Sequence, residues 1–106
     1  MNYEWSLTLE NLVEKHFADM DFNTTAMAEK LELSRSQLFR KVKDAKGISP
    51  SQYLQAYRLE KAYELFENKT YDSVKAVALS VGMPHRNSFA SQFKAQYGKL
   101  PSEFLE

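Results

Sequence analysis

The chain has 106 residues, 43% of them hydrophobic and 26% charged, with no cysteine and a formal net charge of zero. That length allows one domain or two linked small cores, and the balance is that of a folded globular protein rather than a disordered tail. Without cysteine, disulfides and thiolate metal sites are excluded and the cytoplasm is the expected compartment; no apolar run reaches the roughly 20 residues of a membrane span, and no signal-peptide pattern opens the chain.

Nearly every stretch has helical periodicity, and strand-type alternation is nowhere sustained. The first helix is expected over about Leu7–Phe17, with Ser6 as N-cap and Leu9, Leu12, Val13, His16 and Phe17 near one face. Asn23 caps a second helix, with Phe22 and Met27 spaced as a hydrophobic staple and Met27, Ala28 and Leu31 turned inward. After the turn Glu32-Leu33-Ser34, a third helix runs from about Arg35 to Lys46 and stops at Gly47. The clearest boundary is Ile48-Ser49-Pro50-Ser51-Gln52-Tyr53, with Ser49 at N-cap, Pro50 at N1 and Gln52 at N3. It opens a long fourth helix to about Glu67, broken by Asn68-Lys69-Thr70. Ser73 caps a fifth helix, Val74–Val81, ended by Gly82. A loop through Pro84 leads to a sixth helix, about Arg86–Tyr97, stopped by Gly98, and Pro101 opens a short last one behind Leu100, a poor N-cap.

The zero net charge conceals segregation. Residues 1–32 hold Lys15 and Lys30 against seven acids, whereas residues 33–58 hold Arg35, Arg40, Lys41, Lys43, Lys46 and Arg58 against Asp44 alone. A second basic stretch, residues 70–99, carries Lys75, Arg86, Lys94 and Lys99 against Asp72. Two basic segments among acidic ones suit two faces that meet phosphate.

The chain also repeats itself. Asn23-Thr-Thr-Ala-Met-Ala28 and Ser73-Val-Lys-Ala-Val-Ala78 correspond at an offset of 50, and Leu38/Phe89, Val42/Phe93 and Lys43/Lys94 at 51. The one-residue slip falls in the turn, where it is easily absorbed. Each copy is a short helix, a tight turn and a longer helix, with a small residue (Ala28, Ala78) where the second helix crosses the first.

On these residues the chain resembles the DNA-binding domain of the AraC/XylS family. The resemblance is carried by Leu-Ser-Arg-Ser-Gln-Leu-Phe-Arg-Lys at 33–41, Gly47-Ile-Ser-Pro50 with Tyr53-Leu54, and Arg58-Leu59 with Ala62. Val77-Ala78, Val81-Gly82, Phe89, Phe93-Lys94 and Gly98-x-x-Pro101-Ser102-Glu103-Phe104 extend it over residues 7–105. The stretch from Ser34 is most similar to output domains at the C-terminus of hybrid two-component sensors. The chain departs from the pattern at Met83, at Pro84-His85-Arg86 and in lacking a basic residue after Phe104. The resemblance implies an all-α, homeodomain-like fold of about seven helices. Two helix-turn-helix subdomains, residues 7–47 and 69–106, would be joined by a linker helix in 48–68, as the C-terminal part of a larger regulator.

The implied function is sequence-specific binding of double-stranded DNA for transcription regulation, with no cofactor. On the third helix Arg35, Ser36, Phe39 and Arg40 would read bases, Arg40 bidentately on guanine and Phe39 against a thymine methyl, while Arg35 also reaches phosphate. On the sixth, Arg86, Asn87, Ser88 and Ser91 match the base-reading face, Asn87 suiting adenine. Thr25, Lys43, Lys75 and Lys94 are the expected phosphate contacts. Arg58 is expected to tie the subdomains together instead. The other expected partners are an N-terminal sensor or dimerisation domain and RNA polymerase. Catalysis is disfavoured: His16 and His85 are the two histidines, and no phosphate loop or metal-spaced cluster occurs. The alternative is a helical protein-interaction module whose basic faces are merely solvated.

Overall fold

The structure is a computed structural model that describes residues 2–105; Met1 and Glu106 lie outside them. Six α-helices and one 3₁₀ turn follow in order: α1 Asn2–His16, α2 Thr24–Lys30, α3 Arg35–Lys46, α4 Pro50–Glu67, α5 Val74–Ser80, α6 Arg86–Tyr97 and η1 Pro101–Leu105. The molecule is elongated, 44 × 23 × 22 Å.

Side-chain caps set most boundaries. Asn23 accepts from the Ala26 amide at 2.9 Å and Ser73 from the Ala76 amide at 3.0 Å. Ser49 and Gln52 form a reciprocal capping box, as the sequence predicts. Ser34 and Gln37 form a second one at the start of α3.

Two expectations need correction. Helix α1 starts at Asn2, not Leu7, and Ser6 is an interior residue rather than an N-cap. The reason is Trp5: it stands four residues before Leu9, continues the apolar stripe and packs on the first core, with Lys41 Nζ 5.3 Å from its ring centroid. Helix α5 ends at Ser80, one residue early, because the Met83 amide returns to the Ala78 carbonyl at 2.9 Å and closes the turn.

The two copies fill separate cores. Leu9, Val13, Phe22, Met27, Ala28, Leu38, Val42 and Leu54 form the first. Leu59, Ala62, Phe66, Val77, Ala78, Val81, Phe89 and Phe93 form the second. Helix α4 serves both, giving Leu54 to one and Leu59, Ala62 and Phe66 to the other, so its roughly 27 Å length separates the two units.

Candidate nucleic-acid interface

Burial of Leu38 and Val42 turns the opposite face of α3 to solvent, and there Arg35, Ser36, Phe39, Arg40 and Lys43 are all exposed. Phe39 is 50% exposed, so packing into the core is not its role. The Arg35 guanidinium donates to Thr25 Oγ1 at 3.4 Å, which brings a predicted base reader beside a predicted phosphate contact at the start of α2.

The second copy repeats this layout. Phe89 and Phe93 are fully buried, while Arg86, Asn87, Ser88, Ser91 and Lys94 are exposed, as is Lys75 in the first turn of α5. Its entry differs: His85 occupies the N-cap of α6 in extended conformation and makes no side-chain cap hydrogen bond. At Pro84-His85-Arg86 this helix therefore begins without the side-chain cap that α3 has.

Three shallow depressions connect the two faces. The first is bordered by Arg35, Phe39, Thr24 and Ser51, and the second by Thr24, Ser51, Gln55 and Gln92. The third takes Gln92 and Met83 onward to His85 and Ser88. Because neighbours share Thr24 and Ser51, then Gln92 and Met83, the depressions run on from one another and bring Arg35, Phe39 and Ser88 to one groove, whereas Ser36, Arg40, Lys43, Arg86, Asn87, Ser91 and Lys94 are exposed outside its lining. Ser51, Gln55 and Gln92 were not singled out in the sequence; their only signal there is a polar residue on the uncommitted side of a well-defined helix.

The groove has one acid among its lining residues, Asp21. On the other side of α4, about half a turn away at 3.6 residues per turn, Tyr53, Ala56, Tyr57 and Glu60 face a cleft completed by Glu10 and Glu14. Burial, reinforced by Glu10, pushes the Tyr53 phenol up to about 12, and burial with Glu14 raises Tyr57 too. The groove beside α3 and α6 is therefore poor in acids, and the cleft on the other side of α4 holds Glu10, Glu14 and Glu60 with Lys61.

Part of the basic segment is structurally committed. Lys46 pairs with Glu10 and lies over the Tyr53 ring, and Lys41 lies over Trp5. Arg58 donates through Nε to the Phe17 carbonyl and through one terminal nitrogen to the Asp19 and Phe22 carbonyls, all at 2.9 Å. Burial lowers its pKa from the ordinary arginine value. Arg40 and Lys43 are exposed and form no ion pair among the described residues.

A model of a helix-turn-helix domain family matches residues 27–106. The HTH-type transcriptional regulator MtrA of Neisseria gonorrhoeae is 38% identical over 84 residues, which are 79% of this chain and 28% of that protein. Among solved structures, the C-terminal domain of the two-component response regulator yesN from Fusobacterium nucleatum superposes with a TM-score of 0.85 at 29% identity, over 97% of this chain and 99% of that one. The C-terminal domain of AraT, a response regulator from Geobacillus stearothermophilus, gives 0.84 at 30% identity, over 92% and 80%. The chain spans well under half the length of the curated relatives it matches.

Proposed function

This chain belongs to the AraC-type helix-turn-helix family of DNA-binding transcription regulators, and on that premise we propose that α3 and α6 enter two adjacent major-groove segments of one duplex. The observation that carries this reading is the matched pair of exposed polar and basic faces, Arg35, Ser36, Phe39, Arg40 and Lys43 on α3 and Arg86, Asn87, Ser88, Ser91 and Lys94 on α6, with an acid-poor run of depressions between them. A long dimension of 44 Å also suffices to span groove segments roughly 34 Å apart, one turn of DNA.

In this reading Arg40 and Arg86 each donate two hydrogen bonds to guanine O6 and N7, and Asn87 pairs with the N6/N7 edge of adenine. Phe39 covers a thymine methyl, and Ser36, Ser88 and Ser91 take neighbouring base edges. Arg35 bridges base and backbone, while Thr25, Lys43, Lys75 and Lys94 hold phosphates and set register. The two readers are not symmetry-related, so each monomer takes an asymmetric site. Residues 7–47 and 69–106 act as the two reading units and 48–68 as their link. An N-terminal sensor or dimerisation part and RNA polymerase are the proposed partners in a larger protein; no catalytic step is assigned.

Fluorescence anisotropy with random-sequence duplex across a salt series tests this. Log affinity should fall linearly with log salt, by about 0.9 per phosphate neutralised. On a site selected from the same pool, Arg40→Ala and Arg86→Ala should each cost about 1–3 kcal/mol and relax preference at one position. A folded protein that binds no duplex even at low salt would refute the proposal.

A further inference from the structure

The same left-handed turn occurs in both copies, but with different residues. Glu32 (φ 57°) and Gly82 (φ 78°) occupy corresponding positions. In each copy the next amide bonds back to the alanine carbonyl at 2.9 Å, Leu33 to Ala28 and Met83 to Ala78. A glutamate is accepted in the first copy, so the backbone angle alone does not demand glycine in the second. Close approach does. A Cβ on Gly82 would lie 2.6 Å from the Phe17 carbonyl oxygen, 3.2 Å from that of Ala18 and 3.2 Å from Arg58 Nε. Gly47 and Gly98 share the φ of 78°, yet a Cβ on either would meet nothing within 4 Å.

The turn of the second unit therefore docks on the α1–α2 loop of the first, and Arg58 fastens that loop through three carbonyls. Phe17 packs against both cores at the same point. A helix shared by two units sets their separation through the cores packed on it, and a second attachment beside that helix further restrains bending and twisting between them. Resting on the two-helix DNA reading, we propose that, at the separation given by α4, the joint of Gly82, Arg58 and residues 17–22 locks the relative orientation of α3 and α6. Arg58 and Gly82 are then positioning residues for the two recognition helices.

The chain has no cysteine, so a spin-label pair on Ser36→Cys and Ser91→Cys reports the separation of the two recognition helices without DNA. The intact joint should give one narrow distance. Gly82→Asn, which tolerates a left-handed φ but keeps the collision, should displace that distance or widen its distribution about twofold. Gly47→Asn and Gly98→Asn should leave it unchanged. Arg58→Met should act like Gly82→Asn. Arg58→Lys, which keeps the charge but loses the planar fork, should do so too and carries the test if the glycine variant does not fold.

With unlabelled protein, affinity for random duplex of about 24 base pairs should drop about tenfold in Arg58→Lys, while that for duplexes of about 12 base pairs stays within about twofold, because only the longer one engages both units. A mere loss of stability would lower both. Folded Gly82→Asn and Arg58→Lys proteins with the original distance and the original ratio of affinities would overturn the proposal. Failure of the intact chain to bind either duplex would instead overturn the DNA reading, with the spin-label distances still deciding the joint.

Discussion

The two copies share a backbone plan and differ in what holds it. The first core is mainly aliphatic, built on Leu9, Val13, Met27, Leu38 and Val42. The second is an aromatic stack in which Phe93 meets Phe66, Phe89, Tyr97 and Phe104 at centroid distances of 5.6, 5.8, 4.9 and 5.4 Å. Helix α3 starts on a complete capping box and α6 on an uncapped histidine. The first turn carries an exposed Glu32, the second a Gly82 wedged against its neighbour. A duplicated layout thus preserves the geometry that presents a recognition helix, while packing, capping and docking diverge. The two units also brace each other where the Gly82 turn meets the α1–α2 loop held by Arg58.

The severest way to break this comparison is to hollow one core. Phe93 is fully buried, and Phe93→Ala should cost about 3–5 kcal/mol, a large share of the 5–15 kcal/mol that stabilises a domain. If the cores are separate cooperative units, native-state hydrogen exchange should show that loss in α5 and α6, with α2 and α3 changed by less than about 1 kcal/mol. Leu38→Ala should give the mirror pattern at about 2–5 kcal/mol. Equal loss of protection along the whole chain would mean that α4 and the joint at Gly82 fuse the halves into one unit.

What the sequence made legible follows from the range of the interactions. Caps join residues three apart, so Asn23, Ser49-Pro50 and Ser73 mark helix starts that agree with the structure. The inward residues of α3 and α6 follow from periodicity, and the exposed faces are their complement. Helix α1 was expected too late because Ser6 offered a cap signal, whereas Trp5 declares itself only by packing on residues of other helices. The box at Ser34 and Gln37 has the same local signature as Ser49 and Gln52, but Ser34 closes the Glu32-Leu33-Ser34 turn and without a proline behind it its capping role is easily passed over. The collision at Gly82 was invisible, since Phe17 and Ala18 are more than sixty residues away in sequence. The connecting groove is equally hidden: which side of α4 it occupies depends on how the two units pack around that helix.

A smaller change sharpens the contrast in capping. Ser34→Ala removes one member of the box on α3 and should cost about 1 kcal/mol in a urea titration. His85→Ser introduces a capping oxygen where α6 has none and should stabilise by up to about 1 kcal/mol. The pair has a functional reading as well. No side chain caps the start of α6, whereas on α3 the Gln37 amide already donates to Ser34; in the proposed DNA complex the uncapped first-turn amides of α6 would be free to donate to a phosphate. His85→Ser should therefore gain stability while leaving affinity for duplex level or slightly weaker. Unchanged stability in both variants would mean that packing alone, not capping, distinguishes the two helix starts.

The smallest effect separates the halves by pH. Burial and Glu10 hold the Tyr53 phenol at about 12, above the usual value near 10, so the fold favours its neutral form. That stabilisation is complete below pH 10 and is lost as the pH rises from 10 towards 12. Discounted for the solvent on its open side, it amounts to about 1 kcal/mol. In the second half Tyr97 is also raised, by burial, but its hydrogen bond from Gln96 works in the opposite direction. Urea stability measured at pH 9 and at pH 11.5 should accordingly fall less in Tyr53→Phe than in the unaltered chain, with Tyr97→Phe producing a weaker version of the same rescue. Groups that titrate in this window without interacting with either phenol cancel in the comparison, whereas Tyr57, which interacts with Tyr53, and Tyr63, which interacts with Tyr97, contribute to the difference. Should Tyr97→Phe rescue more than Tyr53→Phe, the alkaline weakness would belong to the aromatic core, and the acidic cleft beside α1 would have no part in it.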